Sequence, residues 1–119
     1  MRTPQDFLPL TQAVFHILLA LADGERHGYG IMQEIAALTD GSFHILPGTL
    51  YTSLQRIVHE GLIEESSTRP DPAFDDGRRR YYRLTHLGRR VAAAEVQRLL
   101  ALIAVAQHKR LLGGPQPAN

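Results

Sequence analysis

The stretch that most constrains this chain is PGTLYTSLQRIVHEGLI, from Pro47 to Ile63. On a helix turning about 100° per residue, Leu50, Tyr51, Leu54, Ile57 and Val58 gather within roughly 60° of one meridian, which predicts a core-facing side. The opposite side carries Thr49, Thr52, Arg56 and His59, flanked by Gly48 and Gln55. That surface is small, hydrogen-bonding and free of carboxylate until Glu60, so it fits a groove of DNA. Pro47 enters the helix where its missing N–H costs nothing, and Gly61 predicts the stop, just past the last turn, before the chain becomes extended at Leu62. Taken alone, the segment also matches an ordinary core helix whose polar side meets water.

Context favours the DNA-reading alternative. Leu62 to Thr68 reads as a short strand, RPDPAFDDG as a loop, and a second strand opens at Arg78, Arg79 and Arg80, with Tyr82 and Leu84 alternating against Tyr81 and Arg83. A helix followed by a basic β-hairpin is the layout of a winged DNA-binding head. By alternation Tyr82 is the buried tyrosine and Tyr81 the outward one. The loop tip is acidic at Asp71, Asp75 and Asp76, which places phosphate contacts on the strand arginines instead.

Upstream, Pro4 and Pro9 mark residues 1–9 as an irregular arm. Thr11 caps a helix whose apolar residues Val14, Ile17, Leu18 and Leu21 repeat at three and four, ending near Ala22. After the turn DGERHG, a second helix runs from about Tyr29 to Leu38 with Ile31, Ile35 and Leu38 as its buried stripe. His27 is a capping residue at its entry. Asp40 and Gly41 end it, and Phe43 and Ile45 plug the core ahead of the third helix. Two helices, a glycine-containing turn and a third helix with a polar face make a helix-turn-helix.

Thr85 caps the final element, run here from His86 to Leu112, about 40 Å at 1.5 Å per residue. Ala92, Val96, Leu99, Ile103 and Ala106 step by four and three, a seam of coiled-coil type. Leu99 to Ala106 is apolar on every side, and in a chain of 119 residues a second copy is the natural cover. The predicted architecture is mainly α with a small two-stranded antiparallel wing: arm 1–9, winged helix-turn-helix 10–85, dimerisation helix 86–112 and flexible tail 113–119.

Composition narrows the functions. Net charge is only +1, but six of the 13 Lys and Arg fall between Arg78 and Arg90 with no acidic residue among them, a local field that attracts phosphate. The absence of cysteine removes disulfides and thiolate-ligated zinc and suits a reducing, cytoplasmic setting. The first residues lack signal-peptide character, and the longest apolar run falls far short of the roughly 20 residues that span a bilayer. The six histidines form no H-x-H or H-x₃-H pair, so no metal or cofactor is expected. The serines have no nucleophile-elbow setting, and Glu64 and Glu65, adjacent on a strand, face opposite ways, so no catalytic residue is expected.

The motifs HGYGIMQEI at His27 to Ile35, PGTLYTSLQRIVHEGLI, and RRRYYRLTHLGRR at Arg78 to Arg90 resemble, in order and spacing, the PadR family of bacterial winged-helix regulators. The resemblance implies a dimeric transcription factor, usually a repressor, bound to a palindromic double-stranded operator and often tuned by a small molecule. It places Gly48, Thr49, Tyr51, Thr52 and Arg56 at or near the major groove and the wing along the backbone or minor groove. Gln55 and His59 share the outward face. The Tyr51 ring is expected to pack at the core edge with its hydroxyl toward phosphate. The family often has proline where Thr52 stands, many members have Phe-Trp where Phe43 and His44 stand, and this chain has no tryptophan to stack flat aromatics. An effector here would be apolar, to match aliphatic walls at the dimer centre. The alternative is a winged-helix adaptor that binds protein and not DNA.

Overall fold

The computed structural model describes residues 2–66 and 80–112. A 3-10 turn, Pro4–Phe7, leads into α1 (Gln12–Ala20), then β1 (Arg26–His27), α2 (Gly28–Leu38), α3 (Pro47–His59), β2 (Ile63–Ser66), β3 (Tyr81–Leu84) and α4 (His86–His108). The expected helix entries form with their expected caps. Thr11 Oγ1 accepts from the Val14 amide (3.1 Å), His27 Nδ1 from Gly30 (3.0 Å) and Thr85 Oγ1 from Gly88 (3.0 Å), each satisfying a first-turn donor that the helix itself leaves open.

The helix ends are equally well made. Beyond α3, Gly61 takes φ +80°, its amide reaches the Val58 carbonyl and the Leu62 amide reaches Ile57 (3.0 and 2.9 Å), the paired bonds of a Schellman stop. Asp40 beyond α2 and Arg110 beyond α4 sit in the same left-handed region without being glycine. α4 therefore ends at His108, one turn short of the expected Leu112.

The core joins Val14, Ile17, Leu18 and Leu21 to Ile31, Ile35, Ile45, Leu50, Leu54, Ile57, Leu62, Ile63, Tyr82 and Val91. Each fully buried Leu or Ile contributes about 1.5–3 kcal/mol. Phe43 is half-buried and lies against the His16 ring, centroids 4.4 Å apart. Three expected core residues are outside: Leu38 is 52% exposed, Tyr51 50%, and Val58 is also exposed. Leu38 falls on the last turn of α2, past the elements that cover Ile31 and Ile35. Tyr51 and Val58 belong to the flank of α3 that borders an open cleft.

The sheet has one strand more than the expected wing, in the order β1-β3-β2 and antiparallel throughout. β2 and β3 pair from Ile63↔Leu84 to Ser66↔Tyr81. β1, two residues within what reads as a turn, adds Arg26↔Tyr82 and His27↔Tyr81. Arg26 is anchored from several sides: Nε donates to the Ala20 carbonyl (2.8 Å), and Nη2 pairs with Asp23 and Glu34 (3.3 and 3.4 Å). The added strand corrects the alternation argument, because the His27 ring meets Tyr81 edge-on at 5.3 Å and Tyr81 is buried along with Tyr82. Arg78, Arg79, the acidic loop tip and the tail 113–119 lie outside the described residues.

The start of α4 is locked to the corner between α3 and β2. Thr85 Oγ1 donates to the Gly61 carbonyl (2.6 Å), and the Thr85 amide donates to the Leu62 carbonyl (3.1 Å). Gly88 lies directly over Leu62, where a Cβ would fall 1.9 Å from the carbonyl oxygen. Two turns further on, Glu95 is 2% exposed. Its carboxylate accepts from Arg98 Nε and Nη2 (2.6 and 3.0 Å) and from the Leu10 amide (3.3 Å), tying the lead-in of α1 to α4. Arg98 first, with Leu10 adding to it, holds the Glu95 carboxyl below its ordinary range against the opposing effect of burial.

Candidate nucleic-acid interface

α3 presents the surface its sequence implies. Gly48, Thr49, Thr52, Gln55, Arg56 and His59 are all exposed, while Leu50, Leu54 and Ile57 anchor the other side. Nothing from Pro47 through His59 carries a carboxylate. The N-cap is Leu46, which has no acceptor side chain, and a Cβ on Gly48 would meet no atom within 4 Å. The entry of the helix is therefore open. Its far end differs: Glu60, the C-cap residue, accepts from Arg56 Nε (3.4 Å) and from Arg2 Nη1 (3.2 Å).

A cleft of about 670 Å³ separates the flank of α3 from the sheet and the first turn of α2, lined by Tyr29, Tyr51, Gln55, Val58, Arg80 and Tyr82 among others. Tyr51 reaches across to α2: a Cβ on Gly28 would fall 2.6 Å from the Tyr51 hydroxyl oxygen. The ring thus packs at the cleft edge, half exposed, with its hydroxyl turned to the Gly28 backbone of α2. Tyr82 forms the floor, its phenol pushed above its ordinary value by burial first and then by the Glu65 carboxylate.

The described part of the wing is less cationic than its sequence suggests. Arg80 Nη1 pairs with Glu65 Oε1 (3.1 Å) and Arg83 Nε with Glu64 Oε1 (2.9 Å), all four side chains about half exposed or more. Cross-strand pairing brings these charges together, since Glu64 lies opposite Arg83 in the register. Such exposed pairs are worth little, about 0–1 kcal/mol each.

Tyr29 and Glu60 are the residues of this surface that the sequence reading passes over. The signal for Tyr29 is its place two residues before Ile31, about 200° round the helix from the buried stripe, where an aromatic has no core to enter. For Glu60 the local signal is its i,i+4 spacing from Arg56, whereas its second partner, Arg2, is 58 residues away and leaves none. Along α4, Ala92, Leu99 and Ala106 are half-buried, whereas Val96 and Ile103 are exposed, as are Leu100, Leu102 and Val105 off the seam. Among the described residues no group of three or more His, Cys, Asp or Glu could hold a metal ion, and no helix is long and apolar enough to cross a membrane.

The model of the transcriptional regulator PadR-like family matches residues 17–94. Transcriptional regulator Rv3488 of Mycobacterium tuberculosis is 38% identical over 100 residues, covering 83% of this chain and 81% of that protein. An uncharacterized protein of Lysinibacillus sphaericus is 40% identical over 73 residues, 61% of this chain, and the match spans 64% of that relative's length. Among solved structures, a transcriptional regulator from Clostridium thermocellum superposes with a TM-score of 0.68 at 26% identity, covering 81% of this chain and 87% of that one. The chain belongs to the PadR-like family of transcriptional regulators, DNA-binding proteins and not enzymes.

Proposed function

We propose that the chain is a homodimeric repressor that reads a palindromic operator through the outward face of α3. In this reading residues 10–85 form the reading head and residues 86–112 the dimer helix. Thr49, Thr52, Gln55 and Arg56 face base edges, with Arg56 chelating a guanine for about 1–3 kcal/mol of discrimination. Gly48 allows close approach at the helix entry, while Tyr51 and His59 reach the flanking backbone. Arg78, Arg79 and Arg80 contact phosphate. The observation that carries the proposal is the unbroken carboxylate-free outer face of α3 beside the cleft and wing. A backbone strand then lies in the cleft while α3 enters the groove.

Support for the dimer comes from the exposed apolar side chains of α4, with Ala92, Val96, Leu99, Ile103 and Ala106 as the seam. Two such heads read half-sites about 34 Å apart, or a multiple of it. A small apolar effector seated between the two copies of α4 would release the operator by changing that spacing. We place the protein in the cytoplasm, where its operator is.

The test is selection from a randomised duplex pool at about 0.15 M salt, where non-specific attraction is reduced. The expected result is enrichment of an inverted repeat. A folded, dimeric protein that enriches nothing would overturn the operator reading in favour of a protein-binding adaptor.

A further inference from the structure

We infer that Glu60 is a positioning residue that aims Arg56 at its base, and that Arg2 of the N-terminal arm holds Glu60 in place; the inference rests on the proposal that α3 reads DNA. Glu60 stands between two guanidiniums and each carboxylate oxygen is taken by one of them. Oε1 accepts from Arg56 Nε at 3.4 Å and Oε2 from Arg2 Nη1 at 3.2 Å. The Glu60 side chain is only 20% exposed, while both arginine side chains are more than half exposed.

The support behind this carboxylate is rigid. Glu60 is the C-cap of α3, its amide bonded to the Arg56 carbonyl at 2.9 Å, and Gly61 turns the chain away immediately after it. Arg2 in turn lies over the Phe7 ring, 3.8 Å from its centroid, and Phe7 packs against the core. A continuous set of contacts therefore runs from the core edge through Phe7, Arg2 and Glu60 to Arg56.

With Nε engaged by Glu60, the two terminal nitrogens of the exposed Arg56 side chain are left for a base, the pair that chelates O6 and N7 of guanine. A long side chain held beforehand loses less rotamer freedom when it binds. Arg2 and Glu60 thereby shape base preference without touching a base. Glu60 has a second, opposite effect, since a carboxylate at the end of the reading face repels phosphate on every sequence. That opposition separates positioning from simple charge.

The experiment measures binding to the selected operator and to the same duplex with the guanine facing Arg56 replaced, using the full chain carrying Glu60→Gln, Arg2→Ala or Arg56→Ala. Glu60→Gln should strengthen binding to both duplexes yet lower the preference for guanine by about twofold to fivefold. Arg2→Ala should weaken binding to both and lower the preference in the same direction by less. Neither change should alter the preference once Arg56→Ala is present. An unchanged preference in Glu60→Gln and Arg2→Ala, with Arg56→Ala flattening it, overturns the positioning role and leaves the operator reading intact. Wild-type protein with no preference between the duplexes overturns both.

Discussion

The two halves of α4 have opposite fates, and the more apolar half is the one left bare. In the first half Gly88 and Val91 are buried, and Glu95 is sealed between Arg98 and the Leu10 amide. In the second half Val96, Leu100, Leu102, Ile103 and Val105 lie exposed on a helix as regular as the first. Hydrophobicity alone therefore does not say what buries a residue. The first half is covered by its own chain, through the corner of Thr85 and Leu62 and the 3-10 turn of the arm. The second half projects beyond that cover, and in the proposed dimer a second copy supplies what is missing.

The largest expected effect that sharpens the contrast falls on the first half. Gly88→Ala places a methyl group 1.9 Å from a backbone oxygen that cannot swing aside, so unfolding in urea should show a loss of about 3 kcal/mol. Normal stability would mean that the α4 corner is looser than its hydrogen bonds indicate. In the second half, Ile103→Asp should leave the head folded and act on association, weakening it by about 2–3 kcal/mol, or roughly 30- to 150-fold. Sedimentation velocity would then report monomers. A dimer that persists at low micromolar concentration would break the comparison, because the exposed half would not be the interface.

A smaller effect tests the join between the halves. The Glu95 carboxyl titrates lower in the folded chain than when unfolded, chiefly because Arg98 donates to it. Its stabilisation is complete above the unfolded value near 4.3 and disappears as pH falls through the lower folded value. Urea titrations of wild type and Glu95→Gln should differ by about 1 kcal/mol at pH 7 and converge below pH 4. A constant difference across that window would assign the loss to packing and not to charge.

Much of the proposed reading surface is legible in residues close together along the chain. The helix from Pro47, its left-handed stop at Gly61, the caps at Thr11, His27 and Thr85, and the outward placement of Thr49, Thr52, Arg56 and His59 follow from spacings of one to four residues. The errors lie where a distant segment intervenes. Tyr81 is buried because β1 arrives from about 55 residues away in sequence. Tyr51 is exposed because the sheet stands off from α3 and leaves a cleft. The wing arginines read as free cations until the pairing register sets Glu64 and Glu65 against them.

By itself, then, the sequence determined the helices, their ends and the chemistry of the face that α3 turns outward, because backbone hydrogen bonding, capping and periodicity act within a turn or two. Only the tertiary structure decided which apolar residues are covered, that Gly88 has no room for a side chain, and that Arg2 and Arg56 share one carboxylate. Those outcomes depend on contacts between residues tens of positions apart, whose geometry no local spacing encodes.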